Sequence, residues 1–192
     1  IITTNQLILN KYARTTIMLM KEKKGLIMGV ANERSIAWGI AKSIANQGGK
    51  LAFTYQGDAL KKRVEPLAKS VDSDILISCD VTDSSSMIKT FETIKNKWGK
   101  IDFLVHGIAF SNKDELKGKY YKTSAENFSQ TMHVSCYSFT EACRLSEPLM
   151  NEGGSILTLT YYGAEQVMPH YNVMGIAKAA LEASVKYLAV DL

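Results

Sequence analysis

The chain has 192 residues, 46% of them hydrophobic and 22% charged, and its 23 basic and 19 acidic side chains give a formal net charge of +4. That is ordinary globular usage for one domain or a little more, and it excludes a disordered or fibrous chain. The basic residues are scattered apart from Lys21, Lys23, Lys24 and Lys61, Lys62, Arg63, without the dense charged face of a nucleic-acid reader, and no run of 18 apolar residues marks a membrane helix.

Residues 1–24 read as an N-terminal arm. The chain begins at Ile1, and residues 1–21 hold Lys11, Arg14 and Lys21 but neither an acid nor a serine. Translated upstream sequence or a loose arm before Met18 or Met20 is preferred over a transit-peptide remnant. The preferred reading goes with a cytoplasmic protein and the other with an organelle stroma.

From residue 25 short apolar runs alternate with segments of helical period. Gly25–Val30 reads as a strand, followed by a helix over Ser35–Asn46 with Ile36, Ile40, Ala41 and Ile44 on one face, stopped by Gly48 and Gly49. Leu51–Tyr55 is a second strand, Ala59–Lys69 a helix and Asp74–Cys79 a third strand. A helix over Ser84–Trp98 leads through Gly99 into Ile101–His106, whose almost continuous apolar character implies burial on both faces. After a looser stretch at Ser111–Lys122, helical period runs over Ala125–Glu147, then a fifth strand over Gly154–Thr160 and a last helix over Tyr171–Val190. Strands alternating with helices predict an α/β fold, a Rossmann-like doubly wound parallel sheet with helices on both faces. Ligands then belong at the carboxyl ends of the strands, just after Val30, Cys79, His106 and Thr160. Cys79, Cys136 and Cys143 are too few for a disulfide framework and read as buried thiols in a reducing compartment; no metal site is expected.

The residues at those strand ends carry a consistent chemistry. After the first strand, Gly29 permits a turn, Ser35 is placed to cap the helix and Gly39 to let it lie close to the sheet, leaving free amides for a pyrophosphate. Gln56 stands where dinucleotide folds meet the adenosine ribose, and its neutral amide bonds hydroxyls without favouring a further phosphate. Asp80 reads either as an acceptor for an adenine amino group or as a turn residue. Tyr171 and Lys178 are seven apart, so on one helix they lie about 20° apart around the axis and about 10 Å along it. A lysine charge near a phenol is expected to lower the phenol's pKa. Two tyrosines and a lysine also occur as plain surface and core filler.

The segments Gly29-x5-Ser35-Ile36-Ala37, Phe53-Thr54-Tyr55-Gln56, Cys79-Asp80-Val81, His106-Gly107-Ile108-Ala109-Phe110 and Tyr161-x9-Tyr171-x6-Lys178 follow one another in this order. With them, residues 25–192 closely resemble an enoyl-acyl-carrier-protein reductase of the short-chain dehydrogenase/reductase superfamily. The resemblance implies an NADH-dependent enzyme that reduces the trans-2 double bond of enoyl-acyl-carrier-protein thioesters in fatty-acid elongation. It implies that Gly29, Ala31, Ser35, Ile36, Gln56, Asp80, Val81, Gly107, Ile108 and Ala109 hold the dinucleotide. Lys178 would bond the nicotinamide ribose, Tyr171 the thioester carbonyl, and Tyr161 would line the acyl side. It further implies a homo-oligomer, a tetramer in the full-length parent.

Two departures from the family pattern stand out. Gly107 occupies a position where related chains carry serine or another small polar residue, which predicts looser contacts there. The chain also stops at Leu192, within or just after the lysine helix, whereas family members continue through another strand, a threonine-bearing loop and a helical substrate-binding segment. Residues 1–192 alone are therefore expected to form an incomplete dinucleotide-binding and catalytic domain with impaired turnover and an open fifth-strand edge. Two rival readings are a carbonyl-reducing member of the superfamily and a non-catalytic truncated dinucleotide-binding fragment. The former carries its tyrosine four residues before the lysine, where this chain has Met174.

Overall fold

Residues 18–192 are described by the structure, a computed structural model. The reading of residues 1–17 as an arm lies outside the described residues. Met18–Lys23 dock on the body: the Met20 amide donates to the Gln47 carbonyl at 3.0 Å, and the Lys50 amide to the Lys23 carbonyl at 2.7 Å.

Among the described residues there are five strands and six α-helices, each strand followed by one helix except β4, which is followed by two. They are β1 (Lys24–Met28), α1 (Ile36–Asn46), β2 (Lys50–Tyr55), α2 (Gly57–Lys69), β3 (Ile75–Ser78), α3 (Ser84–Trp98), β4 (Ile101–His106), α4 (Ala125–Met132), α5 (Ser138–Ser146), β5 (Met150–Thr158) and α6 (Asn172–Asp191). All strand pairings are parallel, in the order β3-β2-β1-β4-β5. The order reverses between β1 and β4, so the crevice for a ligand lies beyond the carboxyl ends of those two strands.

Side-chain alternation along the strands builds a core on each face of the sheet. Leu26, Met28 and Leu104 face one side and pack with Met87, Phe91 and Ile94 of α3 and Ala142 of α5. Ile27, Phe53, Phe103 and Val105 face the other, under Ala37, Trp38 and Ala41 of α1 and Val64 and Ala68 of α2. A third, smaller cluster of Cys136, Phe139, Cys143 and Leu181 joins α5 to α6. All three cysteines are free and buried. At the base, the Asp102 carboxylate accepts from the Lys24 amide, Lys23 and Asn151, tying the starts of β1, β4 and β5 together.

Several local expectations are corrected. Ile36 is 68% exposed; α1 presents Ala37, Trp38 and Ala41 to the sheet instead. Gly39 is not the close-approach residue, since a Cβ there would meet nothing within 4 Å; the small side chains of Ala37 and Ala41 fill that role. The first strand ends at Met28, two residues early, because Gly29 turns the chain at a φ of 97°. The fifth strand runs over Met150–Thr158 with an irregular register against β4 between Ile101 and Phe103, where Gly153 adopts a φ of 72°. The segment expected as one helix over Ala125–Glu147 contains a π-type turn at His133–Tyr137 and leaves the α-helical path after Ser146.

Candidate active site

The carboxyl ends of β1 to β4 enclose a cleft of about 460 Å³. Gly29 and Ala31 after β1, Gln56 after β2, Asp80 and Val81 after β3, and Gly107, Ile108 and Ala109 after β4 all line it. Eight of the expected dinucleotide-binding residues are thus brought together, whereas Ser35, Ile36 and Lys178 are not part of its lining.

Two glycines make the closest approach. A Cβ on Gly29 would lie 2.2 Å from the Gly107 carbonyl oxygen, and the positive φ of Gly29 independently disfavours any side chain. Gly107 donates its amide to the Met28 carbonyl at 2.8 Å. A Cβ on Gly107 would lie 3.1 Å from Ala37 Cβ and 3.2 Å from the Met28 carbonyl oxygen, so a side chain there would fit only if its neighbours gave way.

The start of α1 differs from the expected cap. Ser35 is the N-cap residue but does not cap the helix; its hydroxyl accepts from the amides of Ala31 and Asn32, both at 3.0 Å. It therefore shapes the turn after β1, and no side chain occupies the helix-terminal amides. The first turn carries no acidic residue, so the site is open to an anion on both counts. Asp80 accepts from the Thr82 amide at 2.9 Å and the Thr82 hydroxyl at 2.7 Å, which bears out the turn reading. Burial raises the pKa of its carboxyl, but the Thr82 and Gln56 bonds outweigh that and hold it below the ordinary aspartate value.

A second group of residues gathers beyond β5. Lys178 is 5% exposed, and its ammonium donates to the Leu159 carbonyl at 2.6 Å. Burial lowers its pKa, and among the described residues no carboxylate pairs with it. Tyr171 stands at the N-cap position of α6 rather than within the helix, and its side chain makes no capping bond. Its ring meets the ring of Tyr161 edge-on at 4.8 Å between centroids and rests on Gly163, where a Cβ would come within 2.5 Å. Gly175 faces the Gly163 carbonyl as closely, so two glycines that sequence reading left without a role set the seat of Tyr171.

The expected lowering of the Tyr171 pKa is not found. Burial raises it, and Tyr161 adds to the rise. The Lys178 ammonium is turned to Leu159, which leaves the phenol protonated and able to donate. Tyr171 also lines a cavity of about 290 Å³ with Tyr120, Met168 and Ile176, on a wall that Tyr161 does not share.

Beneath both groups sits His106, fully buried at the end of β4. Its Nε2 lies 2.8 Å from the Ser138 hydroxyl, which itself donates to the Val134 carbonyl; the imidazole is therefore the donor and carries its proton on Nε2. Thr158 of β5 stands 3.4 Å from Nδ1. Burial foremost, and then the Lys178 charge, bring the His106 pKa down to about 3. Among the described residues, no group of three or more His, Cys, Asp or Glu side chains is placed to hold a metal, and no helix is long and apolar enough to cross a membrane.

Comparison with known proteins agrees with this arrangement. Residues 29–192 match the family model described as enoyl-(acyl carrier protein) reductase. A curated NADH enoyl-[acyl-carrier-protein] reductase of Rhizobium meliloti is 64% identical over 174 residues, which are 91% of this chain and 64% of that protein. One from Rickettsia typhi is 57% identical, over 92% of this chain and 68% of the relative. A crystal structure of the Anaplasma phagocytophilum reductase with NAD superposes with a TM-score of 0.89 at 59% identity, covering 92% of this chain and 68% of the other. The Bacillus cereus enzyme, crystallised with NADP+ and an indole naphthyridinone, also gives 0.89, at 49% identity, covering 91% and 68%. The chain spans about two thirds of the length of these relatives, less than that for the Rhizobium protein. With the strand order, the glycine cradle and the tyrosine–lysine group in place, the chain belongs to the enoyl-(acyl carrier protein) reductase family.

Proposed function

We propose that the whole protein reduces the trans-2 double bond of an enoyl-acyl-carrier-protein thioester with NADH. The observation that carries this reading is Tyr171, a protonated phenol bordering a cavity of its own just before the helix that holds the buried Lys178. The rival carbonyl reductase needs a phenol one helical turn before the lysine. Met174 occupies that place and is buried in the packing of α6.

The glycine cradle of Gly29 and Gly107 fits a dinucleotide, since it bares backbone where any side chain would intrude. In this proposal the uncapped start of α1, with Ala31, Ser35 and Ile36, receives the pyrophosphate. Gln56 takes the adenosine ribose, Asp80 and Val81 the adenine, and Gly107, Ile108 and Ala109 wall the cleft. Lys178 bonds the nicotinamide ribose hydroxyls, a hydrogen-bonding role that needs its cation and not a carboxylate partner. NADH, when bound, supplies a hydride to the substrate β-carbon. Tyr171 donates its O–H to the thioester carbonyl and stabilises the negative charge that grows there as the enolate forms. The α-carbon then takes a proton from water. Tyr161 buttresses the Tyr171 ring, and the acyl chain follows the cavity beside Tyr171.

The same reading makes the protein a cytoplasmic homo-oligomer, a tetramer, with enoyl-acyl-carrier protein as its transient partner. Its three buried free thiols suit a reducing compartment, and the exposed Phe128, Tyr137 and Tyr187 suit contact between copies.

NADH is expected to bind more tightly than NADPH, because the neutral Gln56 offers no charge to a 2′-phosphate. The competing influence is the basic run Lys61, Lys62, Arg63, of which the Lys61 ammonium stands 6.0 Å from the Tyr55 ring centroid. Fluorescence titration with both dinucleotides, followed by NADH oxidation dependent on a crotonyl thioester, tests the proposal. Tighter NADPH binding overturns the cofactor preference, and no thioester-dependent oxidation overturns the activity.

A further inference from the structure

The helical segment behind the β4 loop carries polar side chains where a sheet-packed helix is ordinarily apolar. Asn127, Thr131 and Ser135 follow at intervals of four and share one helix edge, and Ser138 continues the row beyond the π-type turn. All four are buried. Burying them is costly unless each finds a partner, and small apolar residues would pack there without that demand.

Their partners are one short segment. Ser138 accepts from His106, at the end of β4. The Ser135 hydroxyl accepts from the Phe110 amide at 3.0 Å and donates to the Phe110 carbonyl at 3.1 Å. Thr131 donates to the Ser111 hydroxyl at 2.9 Å, and the Asn127 carbonyl oxygen accepts from the Asn112 amide at 2.9 Å. The segment from His106 to Asn112 is thereby gripped at both ends, and the span between the grips is Gly107, Ile108 and Ala109, the wall of the cleft.

We infer that Asn127, Thr131, Ser135 and Ser138 form a positioning edge that holds the loop His106–Asn112 in its ligand-ready shape before the dinucleotide arrives. The inference rests on reading the cleft as the dinucleotide site. A loop with an exposed Ala109 and Phe110 and few apolar anchors would otherwise sample many conformations and have to be ordered on binding. Ser135 is the central grip, because its one hydroxyl satisfies both backbone groups of Phe110.

The test is Ser135→Ala in the whole protein, read by hydrogen exchange without NADH and by NADH titration. Amide exchange in the peptide covering 106–112 is expected to rise about tenfold while the sheet peptides stay unchanged, and NADH affinity to fall about tenfold with kcat at saturating NADH within about twofold of the parent. Ser135→Cys, which keeps the volume and weakens the bonds, is expected to fall between the two and serves if the alanine variant does not fold. Unchanged exchange over 106–112 overturns the inference, as does a rise spread evenly over the sheet, which marks a packing role alone. Normal NADH affinity with a loosened loop also overturns it. If the parent itself does not bind NADH, the reading of the cleft fails, and the exchange result still decides whether the edge holds the loop.

Discussion

Lys178→Met is expected to leave the protein as stable as the parent, or more so, while lowering turnover about a hundredfold and weakening NADH binding. The two effects have different origins. Lys178 is buried against the Leu159 carbonyl, and burial already works against its charged form. An unbranched apolar side chain of similar length removes that cost. A residue kept against the interest of stability is kept for what it binds. Tyr171→Phe provides the complementary case. The ring keeps its contacts with Tyr161 and Gly163, so the thermal midpoint and NADH affinity stay near the parent values. Turnover is expected to fall about a hundredfold through loss of the donor proposed for the thioester oxygen. Thermal melts, NADH titration and steady-state kinetics of both variants separate these effects. A Lys178→Met protein that melts earlier but binds NADH normally contradicts the assignment, as does a Tyr171→Phe protein with parental turnover.

Acid is expected to destabilise the fold through His106 well before its carboxylates titrate. The histidine pKa lies near 3 in the folded protein, against about 6.5 in an unfolded chain. Below pH 6.5 the unfolded chain therefore takes up a proton that the folded one refuses. Stability falls by about 1.4 kcal/mol per pH unit across this window, to a total of about 5 kcal/mol near pH 3. Asp80 and Asp102 have folded pKa values below the ordinary 3.8, so their contribution starts to fall only near pH 4, at the acid end of the histidine window, and leaves the range above pH 5 to the histidine. Urea denaturation at pH 7 and pH 5 isolates the histidine, with an expected loss of about 2 kcal/mol. His106→Asn, whose amide can still donate to Ser138, is expected to remove most of that loss whatever its effect at pH 7. An unchanged loss in the variant contradicts the account.

Much of the fold was legible because its signals are local and repeated. The apolar runs read as ending at Val30, Tyr55, Cys79 and His106, separated by segments of helical period, already specify a parallel sheet, and the residues at and just past those ends line one cleft. Element ends were less legible. Gly29 leaves the sheet because the Gly107 carbonyl crosses over it, a contact between residues 78 positions apart. Ile36 satisfied the helical pattern as well as Ala37 did, and only the closeness of the sheet makes the alanine the inward residue. The π-type turn at His133–Tyr137 was hidden because one wide turn barely disturbs a periodic pattern.

The site was legible in its residue types and less so in its electrostatics. Spacing placed Tyr171 and Lys178 on one helix, whereas Tyr171 stands just before α6; nor did it reveal that Lys178 turns to the Leu159 carbonyl and that burial raises the Tyr171 pKa. The supporting shell was missed altogether. Its signal was present as Asn127, Thr131 and Ser135 at helical spacing, polar residues recurring along an edge that packing proved to bury. A buried polar edge cannot be told from an exposed one until the neighbouring loop is in place.

In the proposed function, hydride goes to the carbon β to a thioester carbonyl while Tyr171 holds that carbonyl oxygen. The most direct measurement is a single turnover of crotonyl thioester by the whole protein with NADH carrying deuterium at nicotinamide C4 in the transferable position, the product being read by mass spectrometry and NMR. The account predicts a saturated butyryl thioester with deuterium on its β-carbon and an intact thioester. Deuterium on the former carbonyl carbon, with loss of the thiol, would contradict it and point to carbonyl reduction instead.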